Sequence, residues 1–176
     1  GDGDPRWGLY DACEELACQS WQATSSDGTT LCHDSIRPFL RDAHAAAART
    51  GSLDLNMLLL DGRPISFVYN YHYDGRVYGL RMGYKPTMAP LGPGSVLQRL
   101  VFEDSFRRGD RLYDLGAGSM DCKRHWQSSV ASSYRYAHYP LAAPRTQLLR
   151  MKRWAQDWLL GAAGGASNGH GARAAV

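Results

Sequence analysis

No apolar run in this chain is long enough to cross a membrane as a helix. Its longest are "NMLLL" (56–60) and "WLLGAA" (158–163), far short of the roughly 20 residues a bilayer requires. An excess of one charge is also missing. Lys and Arg number 20 against 17 Asp and Glu, a net charge of +3, too small by itself to point to nucleic acid or to a membrane surface. Cysteine is scarce: Cys13, Cys18, Cys32 and Cys122 are irregularly spaced and include no C-x-x-C pair. That excludes a disulfide scaffold and the common zinc ribbons, and it fits reduced, partly buried thiols of a cytoplasmic protein. Cys32, His33, Cys122 and His125 could be read as four zinc ligands. Adjacent ligands seldom suit one tetrahedron, so no metal is expected. The opening "GDGDPRW" is acidic and polar, unlike a secretory signal. No Met begins the chain, so an upstream half is expected. No internal repeat is present.

What the chain does contain is enough for a folded core. It has 176 residues, 44% of them apolar, about one domain's length, and a chain of this size buries roughly 70% of its unfolded surface. Asp4-Pro5 reads as an N-cap and a first-turn proline opening a helix over "RWGLYDACEELACQSW". Residues 22–31 read as a loop with a short strand at its end. Asp34 is the expected cap of a second helix that tolerates Pro38 in its first turn and stops at Gly51.

The apolar period then changes to two. Leu53, Leu55, Met57 and Leu59 share a face, and Asp61-Gly62 signals a hairpin. Ile65, Phe67, Tyr69, Tyr71 and Tyr73 form the next face, and Asp74-Gly75 signals a second hairpin. A third strand places Tyr78, Leu80, Met82 and Tyr84 opposite Val77, Gly79, Arg81 and Gly83. Three antiparallel strands in a meander follow from this. "LGPG" (91–94) precedes a helix expected from Ser95 to Gly109, its apolar stripe running through Val96, Leu97, Leu100 and Val101. "RLYDLG" reads as a short strand, 117–126 as a polar loop, 132–141 as a late strand, and Pro144 as the start of a last helix. Residues beyond Gly161 are rich in Gly and Ala and read as a disordered tail. The order of elements is that of an α+β fold, a mostly antiparallel sheet with helices on both faces. Residues 1–33 form an N-terminal helix and linker, 34–160 the main domain, and 161–176 the tail.

Three segments carry a family likeness: "LLLDGRPISFVYNYHYDGRVYGLRMGYKP", "GPGSVLQRLVFEDSFRRGDRLYDLGAG" and "CKRHW". Their order and spacing over about residues 34–140 resemble the GNAT-like acyl-CoA N-acyltransferase superfamily. The likeness is greatest to the acetyltransferase domain of CelD-like proteins of cellulose and exopolysaccharide synthesis, which is related to FemAB-type aminoacyl transferases. The resemblance implies a GNAT-like fold whose third meander strand and following strand splay apart around the pantetheine arm of an acyl-CoA, acetyl-CoA first. It implies an amine acceptor, on a small molecule or a sugar, and a missing preceding half. Gly92, Gly94, Ser95 and Val96 would form the pyrophosphate loop at a helix N-terminus, where free N–H groups and the helix dipole favour anions, with Arg81 as a further phosphate partner. Lys123, in the "K-x-x-W" segment, would stabilise the oxyanion or the donor phosphates. Asp114 and Asp121 are the candidate bases or acceptor-orienting groups, and Tyr78, His125 and Trp126 would line the acceptor side. One departure stands out. The family shows a basic residue or Gln before G-x-G/A, whereas this chain has Leu91-Gly92-Pro93-Gly94, and Pro93 has no N–H.

Two alternatives accompany the acyltransferase reading. One is a catalytically inert GNAT-like binding module, and the other is an aminoacyl-tRNA-dependent transferase. Arg145, Arg150, Lys152 and Arg153 of the last helix read as a solvated face, so nucleic acid is not an expected partner.

Overall fold

The computed structural model describes residues 3–25, 30–117, 121, 123–132, 134, 136, 138–140 and 142–163. Cys122, and with it the four-ligand zinc reading, lies outside the described residues, as do 164–176 of the expected tail. Of the strand expected over 132–141, residues 133, 135, 137 and 141 are likewise outside, and the described ones carry no strand pairing. The chain divides into two compact units, Gly1–Ser128 and Ser129–Val176.

The first unit holds helix α1 (Trp7–Gln19), a 3-10 turn (Trp21–Thr24), α2 (Arg37–Arg49), strands β1 (Leu53–Leu60), β2 (Arg63–Tyr73) and β3 (Arg76–Tyr84), a second 3-10 turn (Pro86–Leu91), α3 (Pro93–Arg108) and β4 (Leu112–Asp114). The sheet order is β1-β2-β3-β4. The first three strands are antiparallel, and β4 runs parallel to β3. The second unit contains α4 (Pro144–Ala163). Among the described residues no helix is long and apolar enough to cross a membrane, and no three His, Cys, Asp or Glu side chains gather as metal ligands.

Turn chemistry sets the meander. Asp61 and Gly62 have φ of 50° and 74°, and Asp74 and Gly75 have 48° and 63°. Two consecutive positive φ values make each turn type I′, whose twist matches that of the strands it joins. α2 ends as the sequence predicts. Gly51 has φ 67°, its N–H reaches the Ala48 carbonyl, and the Ser52 N–H reaches Ala47, a Schellman motif.

The helix starts differ from expectation. α1 begins at Trp7 behind Arg6, and Pro5 lies outside it. Asp4 instead accepts the Arg6 N–H at 2.8 Å, while the Pro5 carbonyl is taken by buried His44. α2 starts behind Ile36 with no side-chain cap, and Asp34 pairs with Arg37 at 3.2 Å. The strand expected near Leu31 is a turn.

β2 is the centre of the molecule. Six successive residues, Ile65–Asn70, are buried, so helices cover both faces of the sheet. Phe67 and Tyr69 pack with Tyr10, Cys13, Leu16 and Ala17 of α1 and with Leu31. On the other face Val68 packs with Leu97 and Val101 of α3. α1 therefore shares the core of the sheet. Cys13 is buried and Cys18 exposed; burial first, then the charge of Glu14, pushes the Cys13 thiol up to about 12.

The α3 face also carries charge. Asp54 accepts from Asn70 at 3.0 Å and from Asn56 at 2.9 Å. Burial alone would raise the carboxyl of Asp110. Ser105, His72 and Arg108 hydrogen-bond it and hold it below the ordinary range. The bonds to Asp110 fasten the C-terminal end of α3 to β2, and Arg108, 3.6 Å from Asp54, fastens it to β1.

His44 is fully buried. Its Nε2–H donates to the Pro5 carbonyl, so Nδ1 accepts from the Tyr69 hydroxyl at 3.0 Å. Burial lowers its pKa. The unfolded chain's histidines protonate near 6.5, whereas native His44 resists, so acid adds a proton mainly to the unfolded state. This contribution to stability is complete above about pH 6.5 and is lost as pH falls below it. In thermal unfolding, a His44→Gln protein will lose less Tm between pH 7.5 and 5.5 than the parent. An equal loss would show that His44 does not titrate with unfolding.

Candidate active site

The site begins where two strands part. β3 and β4 pair only through Arg76–Leu112, Val77–Tyr113 and Tyr78–Asp114, yet β3 continues to Tyr84. Glycines sit at the point of divergence. A Cβ on Gly79 would lie 2.9 Å from the Asp114 carbonyl oxygen, and one on Gly116 would lie 2.7 Å from that of Gly79. Gly116 also has φ 73°, a conformation few other residues adopt. Two of the sequence candidates meet here. Asp114 Oδ1 accepts the Gly116 N–H at 2.7 Å, and Lys123 Nζ donates to the carbonyls of Gly116 and Ala117, each at 2.7 Å. The carboxylate is exposed and the lysine half-buried. Together they clamp the turn that ends β4.

The open part of β3 carries a bulge. Tyr69 pairs with Arg81, but Asn70 pairs with Gly79, leaving Leu80 as the extra residue. This corrects the strict alternation expected for β3. Tyr78 is opposite Tyr71 and Arg81 is opposite Tyr69, so the two share the α1 face of the sheet instead of lying on opposite faces. Arg81 is thereby placed across the sheet from α3, not beside the first turn of that helix. Met82 and Tyr84 are opposite Val68 and Ser66, and the Lys85 N–H pairs back to Ile65. By the alternation of an antiparallel ladder, the backbone groups of Met82 and Tyr84 turn away from β2 toward the gap.

α3 starts two residues before the expected Ser95. Gly92, with φ 59°, is the N-cap, and Pro93 is the first helical residue, where its fixed φ suits the helix and its missing N–H costs nothing. The Val96 N–H is spent on the Gly92 carbonyl at 3.1 Å, so it is not a ligand donor. Ser95 makes no cap hydrogen bond and is exposed in the first turn. Gly94 is buried, and a Cβ there would lie 3.2 Å from the Tyr84 ring and 3.4 Å from Met82. The first turn thus abuts the end of β3, and the N–H groups of Gly94 and Ser95 have no acceptor within the helix.

The remaining candidates are spread more widely. Trp126 closes a helical turn on the Lys123 carbonyl at 2.8 Å and packs on Phe102 of α3, which in turn packs on Tyr113. His125 is exposed. Asp121 is exposed and pairs with Arg124 at 3.7 Å.

One contributor was not singled out from sequence. Buried Gln22 donates to the Met82 carbonyl at 3.0 Å and accepts the Leu31 N–H. It ties the α1–α2 connection to β3 and leaves Trp21 beside Tyr84, Pro86 and Ala89 around a depression of about 180 Å³. Its close approach needs Gly83, where a Cβ would lie 2.7 Å from Phe67 and 3.3 Å from Gln22. Glycine inside an alternating strand was the available signal.

The family model described as "Acetyltransferase (GNAT) domain" matches residues 8–124, most of the chain. No curated protein matches it. Among solved structures, PaiA N-acetyltransferase of Thermoplasma acidophilum, in complex with coenzyme A, aligns at 16% identity with a TM-score of 0.43, covering 59% of this chain and 69% of that one. Aminoglycoside N-acetyltransferase AAC(6′)-Iy, in complex with a bisubstrate analogue, aligns at 15% identity with a TM-score of 0.47, covering 76% and 94%. From α1 through the clamp at Gly116 and Lys123, the chain belongs to the acetyltransferase (GNAT) family.

Proposed function

We propose that the protein transfers an acetyl group from acetyl-CoA to an amine, on a sugar or cell-envelope precursor of the kind the CelD-like resemblance implies. The observation that carries this reading is the parted β3–β4 pair opening toward the α3 first turn. An extended pantetheine arm carries amides, and the outward Met82 N–H and the outward backbone groups of Tyr84 can pair with them as an added strand would, while the Met82 carbonyl is held by Gln22. The pyrophosphate then meets the N–H groups of Gly94 and Ser95 and the positive end of the helix dipole. Pro93 reduces the number of donors but leaves these two. Tyr78 and Arg81, on the α1 face, belong to the acceptor side.

In the reaction, the amine nitrogen adds to the thioester carbonyl carbon. Asp114, the carboxylate at the splay point, takes the amine proton directly or through water. The C–S bond breaks, the amide forms, and CoA leaves as a thiolate that takes up the proton. Lys123, with two of its three N–H groups on carbonyls, holds the β4 end and places positive charge beside the developing oxyanion. His125 and Asp121 flank the clamp in sequence, and Trp126 braces it on the α3 face through Phe102.

Acetyl-CoA at a hundred times its Kd should stabilise the protein by about 2.7 kcal/mol, read as a rise in Tm. Ser95→Asp places a carboxylate at the α3 N-terminus, which favours the free helix but repels a phosphate. The variant should keep or raise its own Tm and lose most of the acetyl-CoA shift. Its response to acetyl-pantetheine, which lacks phosphates, should not change. Equal loss with both donors would remove the pyrophosphate assignment. A full shift without turnover on any amine would mark a binding module.

A further inference from the structure

Helix α4 concentrates a property that the rest of the chain lacks. It contains Arg145, Arg150, Lys152 and Arg153 against Asp157 alone, a balance of +3, and the whole chain's balance is 20 − 17 = +3. Everything outside α4 is therefore balanced, 16 cations against 16 anions. The same helix carries two of the five Trp residues. At 3.6 residues per turn, Leu148, Met151, Ala155 and Trp158 form one stripe, with Trp154 at its edge. Leu148, Leu149, Met151, Trp154 and Trp158 of α4 are between 57% and 70% exposed. Arg145 and Lys152 border one side of the stripe, Arg150 borders the other, and Arg153 lies behind it.

We propose that α4 docks in the plane of an anionic lipid surface. An apolar stripe with Trp at its edge and cations on both borders matches the boundary between headgroups and acyl chains, where Trp rings and long cationic side chains are both at home. Anionic lipid supplies the complementary charge. The helix is too polar to span a bilayer, so it lies on the surface. Nucleic acid would use the cations alone and leave the apolar stripe unused, which is why lipid is the better fit. The acetyltransferase reading is not needed for this inference, because the basic stripe belongs to α4 alone.

The full chain should co-sediment with phosphatidylcholine vesicles containing phosphatidylglycerol at least about tenfold more than with phosphatidylcholine alone, and roughly 0.5 M salt should remove most of the difference. Trp emission should shift to the blue on the anionic vesicles. Trp154→Phe with Trp158→Phe should abolish the shift while keeping binding, and Trp154→Ala with Trp158→Ala should cut binding by about tenfold. Circular dichroism would verify that each variant is folded. Equal or absent sedimentation on the two vesicle types would overturn the proposal. So would tight, salt-sensitive binding of single-stranded RNA without vesicle binding, which would assign the basic face to nucleic acid.

Discussion

A Gly116→Val protein remains folded but transfers acetyl groups on the order of a hundredfold more slowly, because a displacement near 1 Å at a reacting centre costs about that much. Gly116 has φ 73°, and its Cα rests against the Gly79 carbonyl so closely that a Cβ would be 2.7 Å away. The obstacle is backbone, so no rotamer relieves it. β4 must move, and with it Asp114 and Lys123, which both bond to Gly116. The strained conformation itself costs about 1–3 kcal/mol, which a domain of ordinary stability survives. Steady-state kcat/KM for acetyl-CoA, with circular dichroism as a control for folding, reads the effect. Full activity in a folded variant would show that the splay point does not position the chemistry.

The second large effect concerns the core. Phe67→Ala should lower unfolding stability by about 3–5 kcal/mol, measured by urea titration. Phe67 is fully buried at the middle of β2 and shares a core cluster with Tyr10 and Leu16 of α1 and with Leu31. The space it would leave cannot collapse easily, since Gly83 across the ladder has no side chain to fill it. Tyr73→Ala, at the exposed end of the same strand, should change stability by no more than about 0.5 kcal/mol. A similar small change for Phe67 would mean that α1 is not held through this ring. Because Gln22 reaches β3 only when α1 is seated, loosening α1 should also weaken the wall beside Tyr84.

Much of this architecture was legible in the chain itself. Asp-Gly pairs at 61–62 and 74–75 dictate type I′ turns, and alternation places Phe67 and Tyr69 together, because both rules are local. The sequence names candidate residues but not how they are arranged. Asp114 and Lys123 were marked as chemical candidates, yet their shared bond partner, Gly116, emerges only when β4 is laid along β3. Strict alternation separates Tyr78 from Arg81, whereas one extra residue in β3 brings them to one face, and a bulge has no reliable one-residue signature. The caps at Asp4 and Asp34 failed because a carboxylate can satisfy several nearby donors: Asp4 bonds the Arg6 N–H beside a Pro5 carbonyl held by distant His44, and Asp34 pairs with Arg37 one turn on.

By itself, then, the sequence determined the meander, a helix after "LGPG" and the likeness to acyl transferases, since each depends on contacts a few residues apart or on composition. Only the tertiary structure decided where β3 and β4 part, which face Tyr78 and Arg81 occupy, and that Gln22 closes the α1–α2 connection onto Met82. Those features depend on close approaches between segments far apart in the chain, of backbone at Gly79 and Gly116 and of side chains at Gly83, where a Cβ would lie within 3 Å of a neighbouring atom.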